Sequence, residues 1–139
     1  MDSKTAAFIT LGCKINQYET EAIRREVLDL GYEEVESSAP ADVYVVNTCS
    51  VTAQSGAKSR KYIQRAARTN PESRIVVVGC SSDREKESIS RIPQVALLGG
   101  NEEKPMVGRF LSGCWNPGEE IPAELSDIFD LYISGFGDR

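Results

Sequence analysis

The residues of this chain whose type and placing point to chemistry are Cys13, Cys49 and Cys80. Each stands at the exit of an apolar run, and no two are near one another in sequence. The runs are Ala6 to Gly12, Val43 to Thr48 and Arg74 to Gly79, all of strand length and two of them rich in valine. If the strands lie side by side and parallel, the three thiols meet at one edge of one sheet. One cysteine at a strand end ordinarily packs as a small hydrophobe. Three at matching positions favour a shared set of thiolate ligands. A free thiol, with a pKa of about 8.5, is mostly protonated at neutral pH, so such ligands need help. Helix N-termini predicted shortly after two of the cysteines favour anionic sulfur through their free N–H groups and positive dipole ends. Gly12 and Gly79, each just before a cysteine, would let the backbone approach a ligand closely.

The elements that must position these thiols alternate along the chain. After the first strand, Asn16 with Glu19 has capping-box spacing, and Ile23, Val27 and Leu30 then fall on one helical face before Gly31. A short strand near Tyr32 to Glu36 precedes Pro40 and the strand that carries Cys49. Thr52 is placed to cap a second helix, which Asn70-Pro71 stops. The strand ending at Gly79-Cys80 is followed by Ser82 and Glu85, again at capping-box spacing, and by a short helix closed by Pro93. Gln94 to Leu98 reads as another strand and Gly99-Gly100-Asn101 as a turn and helix cap. A last short helix falls within Glu102 to Leu111, where Pro105 blurs its start.

This alternation predicts an α/β fold: a doubly wound, mostly parallel five-stranded sheet of order 2-1-3-4-5, with right-handed crossovers and helices on both faces. Ligands of such sheets sit beyond the carboxyl ends of the strands, where the strand order reverses. In that order the three cysteine-bearing strands are adjacent. Strands lie about 4.8 Å apart, so the outer two cysteines are about 10 Å apart at the backbone, an opening suited to a polynuclear cluster. From Ser112 the periodicity breaks at Gly113, Pro117, Gly118 and Pro122. Residues 1–111 therefore read as one domain, and 112–139 as a linker or arm.

The chain's 139 residues suffice to bury a core without staples. Its 21 acidic and 16 basic residues give a formal charge of −5, so any RNA contact must be local. No secretory signal or membrane-spanning run is evident, which points to a cytoplasmic setting where recurrent cysteines more often bind metal or catalyse than pair. The absence of histidine excludes imidazole catalysis and two-histidine metal sites.

The segments Thr10-Leu11-Gly12-Cys13-Lys14-Ile15-Asn16-Gln17, Val46-Asn47-Thr48-Cys49-Ser50-Val51-Thr52 and Val78-Gly79-Cys80 resemble the N-terminal domain of the radical-SAM methylthiotransferases. Leu98 to Lys104 does so more loosely. The form Gly-Cys-Lys-Ile-Asn-Gln-Tyr-Glu-Thr is most similar to the branch acting on threonylcarbamoyladenosine in tRNA. The resemblance implies that Cys13, Cys49 and Cys80 hold an auxiliary 4Fe-4S cluster. Three ligands leave one iron open to the sulfur that, as a methylthio group, is placed on an adenine carbon. It also implies a second 4Fe-4S cluster and S-adenosylmethionine on a radical-SAM domain. This chain lacks the Cys-x-x-x-Cys-x-x-Cys signature of that domain and is expected to be inactive alone. Its ending, Gly135 to Arg139, resembles the stretch just before that domain. Ser81-Ser82-Asp83, after Cys80, departs from the family's aromatic, small residue and Gln.

Other features carry less. Lys58, Lys61, Arg65 and Arg68 share one face of the second helix, opposite Gly56, Ser59, Ile63, Ala66 and Ala67. They read first as a solvated face, with a tRNA phosphate stripe as the functional alternative. Cys114, beside Trp115, reads as a free or buried thiol rather than a fourth ligand. The competing functions are a non-enzymatic regulatory or ligand-binding domain on the same fold and a structural zinc module. The first lacks strand-end carboxylates or a Ser/Thr-rich first loop, and the second normally takes four close ligands.

Overall fold

The computed structural model describes residues 4–11, 14–49, 53–80, 83–113 and 115–116, without the side chains of 14–16, 49, 53–57, 80, 83–85, 101 and 102. Among the described residues five strands and four α-helices follow one another: β1 Thr5–Thr10, α1 Lys14–Asp29, β2 Glu33–Glu34, β3 Val43–Cys49, α2 Ala53–Thr69, β4 Arg74–Cys80, α3 Asp83–Ser90, β5 Val95–Gly99 and α4 Val107–Leu111. A 3-10 segment, Asn101–Met106, joins β5 to α4. The strands form one parallel sheet in the order β2-β1-β3-β4-β5, as the alternation of elements predicts.

The valine-rich runs become strands because β-branched side chains pack well on a pleated surface covered on both sides. In β3 and β4, successive residues feed opposite cores. Val43, Val45, Val76 and Val78 pack with Ile23 and Val27 of α1, Met106 of the 3-10 segment, and Val107, Phe110 and Leu111 of α4. Tyr44, Val46, Ile75 and Val77 pack with Ile63 and Ala66 of α2 and Ile89 of α3. Trp115, just past α4, is 4% exposed and belongs to the first of these cores.

Several local expectations change. Asn16 lies within α1, which already begins at Lys14, so it is not the cap; the Glu19 carboxylate binds Lys104 instead. Leu30 is 44% exposed. Here the helix closes with tight bonds from Leu30 N to Val27 O and Gly31 N to Leu28 O, and Gly31 takes φ +104°, which carries Leu30 past the buried face. The predicted last helix divides at Pro105, which lacks an N–H for the α-helical ladder and sits in the 3-10 segment. Strand β5 begins one residue late, at Val95, whose N–H still closes the turn after α3 by donating to Ile92 O at 3.1 Å. Gly12, Thr52, Ser81, Ser82, Cys114 and 117–139 lie outside the described residues, as does the side chain of Glu85.

One carboxylate is held where water would suit it better. Glu26 on α1 sits against Gly108 of α4, where an added Cβ would collide with it. Burial raises its pKa above the usual 4.5, opposed by the charge of Arg109. The folded state then binds this proton more tightly than the unfolded chain. The charged carboxylate costs stability at pH above the raised folded value, and the cost is gone below about 4.5. Glu26→Gln is therefore expected to unfold at a higher urea midpoint than the parent at pH 7. That difference should shrink as pH falls toward 4.5.

Candidate metal centre at the carboxyl edge of the sheet

Strands β3 and β4 run in register to their last residues, and there Cys49 is the direct partner of Cys80. The two backbones are thus one strand spacing apart, about 4.8 Å. On the other side of β3, the ladder with β1 continues past Thr10, where Leu11 N donates to Asn47 O at 2.9 Å. Thr10, Asn47 and Val78 lie level across the three strands. Cys49 and Cys80 each follow that level by two residues, and Cys13 comes three residues after Thr10 in the sequence. Cys13 itself and the side chains of Cys49 and Cys80 lie outside the described residues. Among the described residues, no group of three or more Cys, Asp or Glu side chains gathers to hold a metal ion.

Gly79 shapes the edge. It adopts φ +122°, and a Cβ there would overlap the Thr48 carbonyl oxygen. Only glycine lets β4 bend this closely against β3 immediately before the paired cysteines. The Thr48 hydroxyl, itself buried, donates to Val78 O at 3.2 Å and ties the same two strand ends together.

Beneath the edge lies a buried polar cluster that the sequence reading did not assign. The Thr10 hydroxyl donates to Thr20 Oγ1 at 2.8 Å, and Asn47 Nδ2 donates to the same oxygen at 3.2 Å. Asn47 and Thr20 are both buried, so these bonds join β1 and β3 to the second turn of α1. They hold the helix that starts one residue after Cys13. From the far side, Lys104 in the 3-10 segment reaches Glu19 of α1 at 2.5 Å, with the lysine side chain 3% and the glutamate 16% exposed. Polar Thr10 and Asn47 at the ends of otherwise apolar runs were the available signal for the first cluster. Nothing local announces the second, whose partners are 85 residues apart.

Helices α1, α2 and α3 all begin within a few residues of a candidate cysteine, at Lys14, Ala53 and Asp83. Positive helix-dipole ends so close to the three cysteines in the chain would favour thiolate over thiol there. Three cysteines without histidine, acting together as donors, would suit iron and sulfide better than a closed four-ligand zinc site. Gly99 adds a second close approach, since a Cβ there would strike the Glu103 side chain. The Glu103 carboxylate accepts from Gly100 N at 3.0 Å, so Gly99-Gly100-Asn101 forms the turn and cap expected of it.

Residues 5–100 match the model of the uncharacterized protein family UPF0004. The chain is 46% identical over 100 residues to the threonylcarbamoyladenosine tRNA methylthiotransferase MtaB of Bacillus subtilis (strain 168), covering 72% of this chain and 22% of that protein. It is 40% identical over 101 residues to the MtaB of Chlamydia pneumoniae, covering 72% and 24%. Similarity extends to the ribosomal protein uS12 methylthiotransferase RimO of Sorangium cellulosum (strain So ce56), at 32% over 117 residues, or 81% and 24%. The chain thus spans about a quarter of the length of the curated relatives it matches. Among the described residues, no helix is long and apolar enough to cross a membrane.

Proposed function

This chain belongs to the UPF0004 family, and from that premise we propose that it is the auxiliary cluster-binding, sulfur-donating domain of a tRNA methylthiotransferase that modifies threonylcarbamoyladenosine. The observation that carries the reading is the register pairing of Cys49 with Cys80 at the sheet edge toward which β1 leads Cys13. Relatives named for methylthio transfer to this tRNA nucleoside support the substrate, and the higher identity to the Bacillus and Chlamydia relatives than to the uS12 relative supports the branch.

In this reading Cys13, Cys49 and Cys80 hold a 4Fe-4S cluster. When bound, it supplies one iron without a protein thiolate, open to exogenous sulfur. The chain's own residues do the rest. The three helix N-termini keep the thiols ionised. Gly79 and Thr48 keep two of the ligands at strand spacing, and the Thr10–Thr20–Asn47 cluster fixes the helix after the third. Residues 1–111 form the cluster-binding domain, and Trp115 seats the beginning of the 112–139 arm on it. A second 4Fe-4S cluster and S-adenosylmethionine belong to the radical-SAM part of the longer enzyme, which acts in the cytoplasm, and this chain alone is inactive.

The open iron is tested after anaerobic reconstitution with iron and sulfide. Methanethiolate added to the reduced protein is expected to shift its electron paramagnetic resonance signal, because it enters the open position. A signal that methanethiolate leaves unchanged contradicts the three-ligand site.

A further inference from the structure

Helix α2 carries five of the chain's 16 basic residues, Lys58, Arg60, Lys61, Arg65 and Arg68, and none of its 21 acidic ones. Its buried face is Ser59, Ile63 and Ala66, which seat it on the sheet. Lys58, Lys61, Arg65 and Arg68 are all exposed on the opposite side. At 100° per residue these four fall within an arc of about 80°, a stripe about 15 Å long. Among the described residues none of the four enters an ion pair, whereas exposed Arg25 and Arg91 are each paired with a glutamate four residues earlier. A cationic face with no internal anion, on a protein of net charge −5, is a local positive field on an otherwise repelling surface. The stripe also has a direction. Strand β3 delivers Cys49 to the carboxyl edge and α2 departs from that edge, so the basic residues run from the candidate metal centre down the side of the domain.

We propose that the Lys58–Lys61–Arg65–Arg68 face of α2 is a contact surface for the sugar–phosphate backbone of the substrate RNA. This rests on the tRNA reading above and adds to it the surface on which the RNA lies. The length matches several successive phosphates of one strand, and lysines and arginines without internal partners are free to replace the counterions there. Such contacts position the nucleic acid without reading its sequence. A polyanion held along α2 has its next nucleotides at the sheet edge, where sulfur must be delivered. The amphipathic helix thus serves the core with one face and the substrate with the other.

The test is the salt dependence of binding to unfractionated tRNA by the iron-free chain. It compares the parent with Lys61→Gln/Arg65→Gln and with Lys4→Gln/Arg25→Gln, which removes the same charge from exposed positions elsewhere. The α2 variant is expected to lower the slope of log affinity against log salt by about 1.4–1.8, at 0.7–0.9 per lost phosphate contact. The control pair should leave the slope near the parent's, and Lys61→Arg/Arg65→Lys should restore it. Equal slopes in the two Gln variants overturn the inference. So does capture of polyglutamate with no affinity for tRNA, which would assign the face to an acidic protein surface. Because the chain is iron-free, this result is independent of the cluster: iron uptake with stripe-insensitive tRNA binding removes this inference alone.

Discussion

Replacing Lys104 by Met is expected to lower the unfolding free energy by about 3–5 kcal/mol, a large part of the stability of a domain this size. The lysine side chain is 3% exposed and ends on Glu19 at 2.5 Å, so its removal leaves a carboxylate in the core wall with no countercharge. Desolvation of a lone ion, not loss of attraction, is the larger part of that cost. Glu19→Leu/Lys104→Met removes both charges and should recover most of the loss. Urea unfolding of the parent, the two single variants and the double gives the coupling directly. A Lys104→Met midpoint equal to the parent's would show that the pair holds nothing. The pair matters to the site because it fastens the 3-10 segment beyond β5 to the helix that follows Cys13. The single variant is therefore also expected to take up less iron than the double.

Gly79→Ala is expected to injure both fold and site. A left-handed φ of +122° costs a non-glycine residue about 1–3 kcal/mol, and the new methyl also overlaps a backbone oxygen, which cannot turn aside as a side chain would. Relief requires β3 and β4 to part at Thr48 and Gly79, the residues just before the paired cysteines. Iron uptake should fall even though all three cysteines remain. Gly31→Ala separates the two causes. Gly31 has φ +104° but open space where its Cβ would go, far from the edge. It should lower the urea midpoint through strain alone and leave iron content unchanged. Equal iron content in the two alanine variants would show that the close approach at Gly79 has no part in holding the site.

The sheet was legible because its inner strands are buried on both faces and so read as unbroken apolar runs. Val43 to Val46 and Ile75 to Val78 announce themselves, and the ends of the intervening helices are marked by Gly31, Asn70-Pro71 and Pro93. The alternation with amphipathic helices then fixes parallel strands, and strand order brings Cys49 beside Cys80. Local spacing misled at Asn16 and Glu19, because a capping-box pattern does not reveal that the glutamate has a better partner 85 residues away. Leu30 fits the helical period but falls where the helix has already tightened toward Gly31. Pro105 hid a 3-10 segment inside what reads as one helix. Trp115 lies beyond the last periodic residue, yet it fills the core under α4. Each of these depends on contacts between distant segments, which periodicity does not carry.

The central claim is that three cysteines, and not the fourth, make one iron–sulfur site. Iron and acid-labile sulfide are to be counted per chain after anaerobic reconstitution of the parent and of Cys13→Ala, Cys49→Ala, Cys80→Ala and Cys114→Ala. The account predicts about four of each in the parent and in Cys114→Ala, and close to none in the other three variants. Iron retained when any one of the three is removed, or lost when Cys114 is removed, would contradict it.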